Sequence, residues 1–126
     1  YRQDVMKSYA FPVTYESRQS DVRRLLGDFT IVQTGQPVIE KLLKGKAQVV
    51  QEDCRTASAE PLFHVMLQHY GNMRAQIVTP LIRDERLEGV LSVHELRGPR
   101  QWTRDEMKLA SDTTRLIGQL FTVDLD

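Results

Sequence analysis

Three histidines are the side chains best suited to chemistry in this chain of 126 residues. His64 and His69 lie five residues apart on one predicted helix. This is not the i, i+4 spacing that places two metal ligands on one helix face. His94 shares a strand phase with Ser92, so both side chains can hydrogen-bond a ligand from one face of a sheet. The spacing argues against a zinc site, and we predict no metal ligands.

Cys54 is the only cysteine in the sequence. Glu52 and Asp53 precede it, and nearby carboxylates raise the pKa of a thiol, so no reactive thiolate is expected. A single cysteine also excludes an internal disulfide and a cysteine-rich zinc site. Neither Ser58 nor Ser92 lies in a nucleophile elbow or beside paired acids. We therefore predict no catalytic residue and a reducing, cytoplasmic setting.

The charges of the chain are balanced, with seventeen Lys and Arg residues against seventeen Asp and Glu residues. A neutral domain has no general attraction to nucleic acid or to an anionic membrane. No apolar run approaches the ~20 residues that cross a bilayer, and no signal peptide is visible. The length predicts a single domain over residues 1–126. Because the chain opens with Tyr1, we expect it to be a fragment of a longer protein.

The elements that would position His94 lie in the second half of the chain. Ala75–Ile82 is apolar and rich in β-branched residues, which predicts a buried strand. The polar segment 83–86 predicts a hairpin turn. Residues 87–94 then alternate, which predicts a second strand. Its two faces carry Leu87, Gly89, Leu91 and Val93 on one side, and Glu88, Val90, Ser92 and His94 on the other.

A strong helix start follows this hairpin. Thr103 can cap the helix, Glu106 can return a hydrogen bond to it, and Trp102 can pack on Met107 as a hydrophobic staple. The helix is predicted to run over residues 104–121. Its apolar residues predict contact with the sheet near Ala110 and Ile117, and contact with a second protomer near Leu116 and Leu120.

Upstream, the pattern predicts a mixture of helices and strands. We predict a strand or strand pair within residues 9–15 and a short helical turn over 20–26. A helix over 37–44 would be stopped by Gly45, and a strand is predicted over 47–51. Helical spacing of Phe63, Met66, Leu67 and Tyr70 predicts a helix from residue 60 or 61 to about 70. Several neighbouring strands with helices indicate an α+β fold with a largely antiparallel sheet.

The order of these predicted elements and of their sequence segments resembles a GAF domain from about Phe29 to Phe121. Its parts are PVIE at 37–40, QIVTPL at 76–81, LEGVLS at 87–92 and RQWTRDE at 100–106. The resemblance implies an antiparallel sheet of about six strands, helices on both sides, a long C-terminal helix and a ligand pocket on one face of the sheet. It also implies that the pocket residues are Phe63, His64, Met66, Tyr70, Gln76, Ser92 and His94.

The closing segment is similar to that of phytochrome-type GAF domains, which attach a bilin through a cysteine close before a histidine. Here Phe63 precedes His64, Cys54 lies ten residues upstream, and the chromophore motif Asp-Ile-Pro is absent. These departures argue against covalent bilin attachment. They leave a small organic ligand of unknown identity as the expected cofactor. The Asn-Lys-x-Asp motif of cyclic-nucleotide GAF domains is also absent.

The resemblance implies non-enzymatic sensing of a small molecule in a signal-transduction or transcription-regulatory protein. Ligand binding would rearrange the terminal helices of a homodimer by shifting a population. One alternative is a ligandless dimerisation module, which a filled core at the pocket would favour. Another is an enzyme like the GAF-type methionine sulfoxide reductase, but that reaction needs an attacking and a resolving thiol. The single cysteine weighs against it.

Overall fold

The computed structural model describes residues 2–3, 9–10 and 36–124, with the side chains of 36–120. The elements in chain order are β1 (Arg2–Gln3), β2 (Tyr9–Ala10), α1 (Pro37–Gly45), β3 (Val49–Gln51), α2 (Cys54–Ala57), α3 (Pro61–His69), β4 (Ala75–Arg83), β5 (Arg86–Glu95) and α4 (Arg104–Asp124). The strand predicted over 9–15 is described only at Tyr9–Ala10. The helical turn predicted over 20–26 lies outside the described residues.

The sheet has the antiparallel arrangement that the sequence predicts. β4 lies between β3 and β5 and pairs antiparallel with both, while β1 and β2 form a separate antiparallel pair. The α+β class and the long C-terminal helix are confirmed. The described residues contribute three strands to the main sheet, and the expected number of about six also covers residues that are not described.

Apolar cores lie on both faces of the sheet because β4 alternates between them. Val78 packs with α1 and α3 residues such as Leu42 and Phe63, whereas Ile77 packs with Trp102 and Ala110 at the start of α4. We call these faces the α3 face and the α4 face. Helices pack on both faces, so the prediction of helices on both sides of the sheet is confirmed. The predicted packing of Ala110 on the sheet is confirmed as well.

A register shift changes the predicted alternation of β5. Leu81 pairs with Gly89 and Ile82 pairs with Leu87, which leaves Glu88 without a partner on β4. This extra residue reverses the phase of the strand, as a β-bulge does. Leu87 therefore belongs to the core of the α3 face, together with Val78. The prediction that Leu87 shares a face with Leu91 and Val93 is wrong for this reason.

The hairpin turn after β4 and the start of α4 lie where the sequence predicts them. Asp84 and Glu85 both have positive φ, at 52° and 63°, as a tight two-residue hairpin turn requires. At the start of α4, Thr103 Oγ1 accepts a hydrogen bond from the amide of Glu106 at 3.1 Å. Glu106 Oε1 accepts one from the amide of Thr103 at 2.9 Å. The predicted capping box is thus confirmed.

The end of α1 differs in detail from the prediction. The helix includes Gly45, and the left-handed residue is Lys46, with φ 51° and ψ 32°. Its amide donates to the carbonyl oxygen of Leu42 at 2.9 Å. Gly45 is therefore the last helical residue, and a lysine occupies the position that glycine usually takes.

Among the described residues, no helix combines the length and the apolar character that a bilayer span requires.

Candidate ligand-binding face

The candidate site is built on a row of three polar residues across the sheet. Gln51, Gln76 and His94 are register partners on β3, β4 and β5, so their side chains share the α3 face. Gln76 Nε2 donates to Gln51 Oε1 at 2.6 Å, and both side chains are buried. The expectation that a buried Gln76 needs a hydrogen-bond partner is confirmed. Its partner, Gln51, was not among the predicted site residues.

Tyr70 extends this row from the C-terminal end of α3. Its ring lies 5.8 Å from the His94 ring, centroid to centroid, at an angle of 32°. The His69 ring lies 5.5 Å from the Tyr70 ring, centroid to centroid. Burial removes water from His94 and lowers its pKa to about 4. His94 is therefore a neutral hydrogen-bonding group at pH 7, with no charge to attract an anion.

His64 is held by the backbone. Its Nε2 atom lies 2.7 Å from the carbonyl oxygen of Ser58. Because a carbonyl can only accept, Nε2 is the donor in this contact. The ring also meets the edge of Phe63 at 5.8 Å, with an interplanar angle of 78°. His64 is thus oriented by the segment that precedes α3.

The other predicted pocket residues have different environments. Phe63 and Met66 are buried in the core of the α3 face, close to Met73. Ser92 is exposed on β5, opposite Val78 in the register. The structure thus brings Tyr70, Gln76 and His94 together over an apolar base that includes Phe63 and Met66, and it leaves Ser92 in solvent.

Cys54 belongs to the same core cluster as Phe63 and Met66. Burial raises the pKa of its thiol to about 11, with a further contribution from Asp53, while Arg74 acts in the opposite direction. The thiol is therefore protonated at neutral pH. Its Sγ atom lies 3.7 Å from Gln51 Oε1, within range of a weak hydrogen bond. The sequence predicts an unreactive thiol from the neighbouring acids, and the structure shows that burial is the larger cause.

Arg74 supplies the unmatched polar atom near the thiol. Its Nε atom is buried and has no hydrogen-bond partner in the described structure. Its backbone carbonyl accepts from the amide of Cys54 at 2.7 Å. Within the described residues, no three His, Cys, Asp or Glu side chains lie close enough together to hold a metal ion. The face is therefore built from neutral polar groups, aromatic rings, one thiol and one guanidinium.

Comparison with known proteins identifies the family of the chain. The GAF domain family matches residues 7–121. The chain belongs to the GAF domain family. It is therefore a sensory domain of the kind found in signal transduction, and the resemblance on which the sequence prediction rests is confirmed.

The curated relatives of this GAF domain are circadian input-output histidine kinases named CikA. The protein from Thermosynechococcus vestitus is 32% identical over 101 residues, which cover 76% of this chain and 14% of the kinase. The protein from a Synechocystis species is 34% identical over 98 residues, which cover 75% of this chain and 13% of the kinase. The chain thus spans about one seventh of the length of the relatives that it matches.

Solved structures show the same fold. A red/green cyanobacteriochrome in its red-light-absorbing state matches with a TM-score of 0.73 at 21% identity, covering 100% of this chain and 83% of that chain. Others of similar fold are also cyanobacteriochromes, including a PixJ GAF domain and a far-red photoreceptor. This likeness supports the GAF fold of the chain.

The prediction against a covalent bilin is contradicted by these neighbours, which are cyanobacteriochrome photoreceptors. That prediction rested on Phe63 directly before His64, on the ten-residue separation of Cys54 from His64 and on the absence of the Asp-Ile-Pro motif. In the folded chain Cys54 of α2 packs in the same core cluster as Phe63 of α3, despite a separation of nine positions in the sequence. The number of residues between Cys54 and His64 therefore did not indicate how close the thiol lies to the candidate face in the folded chain.

Proposed function

We propose that this GAF domain is a non-enzymatic sensor that holds a conjugated small molecule, with a bilin as the first class to test, at the Tyr70–His94 end of the α3 face. The observation that carries the proposal is the in-register row of Gln51, Gln76 and His94, continued by the Tyr70 ring 5.8 Å from His94. The photoreceptor neighbours share its fold.

The chemistry of this face suits a ligand with a large π-system and several N–H and C=O groups. A neutral His94 can donate and accept hydrogen bonds, and Tyr70 offers a ring face for stacking. The unmatched Nε of Arg74 can donate to a carboxylate of the ligand. Small-molecule sites are mostly apolar, with a few polar groups that fix the orientation of the ligand. Phe63 and Met66 provide the apolar part of this site.

A covalent link within this chain would have to use Cys54, because the sequence contains no other cysteine. The thiol is fully buried and its pKa is about 11, so attack by a thiolate would be slow until α2 moves away. We propose that a ligand is first held non-covalently. Covalent attachment at Cys54 then requires an opening of residues 54–57, because the thiol is buried.

The test is native mass spectrometry and absorption spectroscopy of the 126-residue chain after incubation with biliverdin, before and after denaturation. An added mass and visible absorbance that are lost on denaturation support a non-covalent sensor. Retention after denaturation, abolished by Cys54→Ala, shows attachment at Cys54. Replacing Tyr70 or His94 with alanine should weaken binding at least tenfold, whereas the exposed Ser92→Ala should have little effect. Bare polypeptide mass and no absorbance would contradict the proposal.

A ligandless dimerisation module is the second candidate, and one observation favours it. Phe63 and Met73 are fully buried, at 0% and 1% exposure, and Gln76 is already satisfied by Gln51. This part of the α3 face is therefore filled by the protein itself. Under this alternative the chain would bind no chromophore and would act only through its α4 surface.

Signalling under the main proposal passes through the sheet to α4. β4 contributes Gln76 and Val78 to the α3 face, and its C-terminal end contacts α4. There Arg83 Nη2 donates to the carbonyl oxygen of Gly118 at 3.1 Å. A ligand that favours one position of β4 would shift the population of α4 arrangements. We propose that α4 also joins two copies of the chain through its exposed leucines, Leu109, Leu116 and Leu120.

A further inference from the structure

A second concave surface lies at the other end of the sheet from the Tyr70–His94 contact. It is a depression of about 310 Å³ between the α1–β3 connection, the end of β4 and α4. We call it the Lys46 groove and define it by six of its lining residues, which are Lys46, Thr79, Leu81, Ile82, Ser111 and Arg115. An adjoining depression of about 230 Å³ shares Lys46 and Ile82 with it. Lys46 therefore lines both.

The backbone at Lys46 is unusual for a lysine. Its φ of 51° lies in the left-handed region, where a side chain is disfavoured and glycine is the common choice. A glycine is present one residue earlier, at Gly45, where the backbone is helical and does not require it. Strained non-glycine residues cluster at functional sites, because the surrounding structure holds them there. Lys46 thus stands at a position where the backbone itself favours glycine.

Two hydroxyl residues, Thr79 and Ser111, line the groove and can donate to a ligand. Gln48 Nε2 donates to Thr79 Oγ1 at 2.9 Å and to the carbonyl oxygen of Met107 at 3.0 Å, which uses both hydrogens of the amide, and it lies 3.3 Å from Ser111 Oγ. The Thr79 hydroxyl therefore already accepts one hydrogen bond and keeps its own proton to donate, while the Ser111 hydroxyl can donate as well. Thr79 is buried and Ser111 is half-buried, so neither proton is fully served by bulk water. An electron-rich group of a ligand matches them.

The charges limit that group to a single negative charge. Arg115 is already paired with Asp112, which also accepts from Lys108. Among the described residues no ion pair of Lys46 is found, so the charge of Lys46 is unmatched. Lys46 is therefore the one unpaired cation among the described lining residues, and its single positive charge matches a single negative charge. Leu81, Ile82 and Pro80 form its apolar part.

We propose that the Lys46 groove binds a small organic monoanion, a carboxylate or a phosphate ester on an apolar body. Lys46 and the Ser111 hydroxyl hold the anionic group, and Leu81 and Ile82 contact the apolar body. Thr79 and Leu81 have the strand phase of Ile77, which faces α4, so the groove is separate from the row of Gln76 and His94. A ligand bound in the Lys46 groove would contact both the α1–β3 connection and α4.

The test is a titration of the ¹⁵N-labelled 126-residue chain, followed by backbone amide shifts. Hexanoate and hexyl phosphate serve as the two anionic probes, hexanol as the neutral control and inorganic phosphate as the control without an apolar body. We expect saturable shifts at Lys46, Leu81 and Ser111 with at least one anionic probe, at concentrations at least tenfold below those needed for either control. The tighter anionic probe identifies the head group. Absence of saturation, or equal binding of hexanol, would overturn the proposal.

Three variants make the role of Lys46 specific. Lys46→Gln should weaken binding at least tenfold, whereas Lys44→Gln, which removes a charge from the same helix without lining the groove, should change it less than twofold. Lys46→Gly removes the charge and relieves the left-handed strain, so it should raise the urea midpoint while also losing tenfold in affinity. Loss of binding in a stabilised variant cannot result from unfolding. Full affinity in Lys46→Gly would contradict the proposal.

Discussion

At the residue scale, the polar groups of the candidate face are neutral and hydrogen-bonded in part, and the exception is the guanidinium of Arg74, whose Nε has no partner among the described residues. Gln76 and Gln51 satisfy each other at 2.6 Å, and His64 is fixed by the carbonyl of Ser58. A buried amide without its partner costs roughly 1–3 kcal/mol, so the row also defines the register of β3 against β4. His94 is the member of the row whose protonation state can change within the stable pH range of a protein.

The pKa of about 4 for His94 predicts a pH-dependent stability. Between pH 6.5 and 4 the unfolded chain binds a proton at this residue and the folded chain does not, so stability falls as the pH falls through that window. His94→Gln should lose this dependence, which we expect to be on the order of 2 kcal/mol because the ring is only half-buried. Urea unfolding at pH 7.0 and pH 4.5, compared for both proteins, measures the difference.

The half-buried His69 provides the control, because it lies beside Tyr70 on α3 and outside the polar row of Gln51, Gln76 and His94. His69→Gln should keep the pH dependence of the original protein. An equal pH dependence in His94→Gln and the original chain would show that other groups, such as the carboxylates, cause it.

At the element scale, α4 is held at its start and along its length by separate devices. The capping box of Thr103 and Glu106 begins the helix, and Trp102 Nε1 donates to the carbonyl of Gln51 at 3.2 Å. Further along, Gln48 Nε2 donates to the carbonyl of Met107 at 3.0 Å, which ties the residue before β3 to the helix. α4 is thus attached to the strand whose last residue, Gln51, belongs to the polar row.

Removing the cap should destabilise the whole domain by a modest amount. Thr103→Ala loses the hydroxyl that accepts from the amide of Glu106, and such losses cost about 1 kcal/mol. Chemical denaturation followed by circular dichroism measures the change in unfolding free energy. Thr103→Ser keeps the acceptor and should lie within about 0.5 kcal/mol of the original chain. Equal losses in the serine and alanine variants would show that the methyl group matters instead.

At the scale of the whole molecule, α4 carries two apolar surfaces. Ala110 faces the sheet and is 6% exposed, whereas Leu109, Leu116 and Leu120 are 67%, 59% and 69% exposed. Their spacing of seven and then four residues is that of a coiled-coil seam. Exposed leucines in such a register favour a second helix as their partner, and we propose the same helix of a second copy.

The dimer proposal predicts a defined effect of charge in the seam. Leu116→Glu with Leu120→Glu should convert a dimer into a monomer, because burying two carboxylates against their copies is strongly unfavourable. Sedimentation equilibrium measures the molar mass. Leu62→Glu with Val65→Glu, at 58% and 55% exposure on α3, is the matched control and should leave the dimer intact. A monomer in the original chain would contradict the proposal.

The sequence by itself determined much of the local structure. Alternation and turn residues determined the β4–β5 hairpin, and Thr103 and Glu106 determined the start of α4, because these signals act between residues close in the chain. Helical spacing also placed Phe63 and Met66 in the core. The pattern of the whole chain was sufficient to predict the family.

Only the tertiary structure decided which distant residues meet. The bulge at Glu88 moved Leu87 to the α3 face, and pairing with β3 made Gln51 the partner of Gln76. The same packing placed Cys54 in the core of the candidate face and left Ser92 in solvent. These outcomes depend on register and on the packing of helices over the sheet. Local residue patterns do not encode them, because the energies come from contacts between residues far apart in the chain.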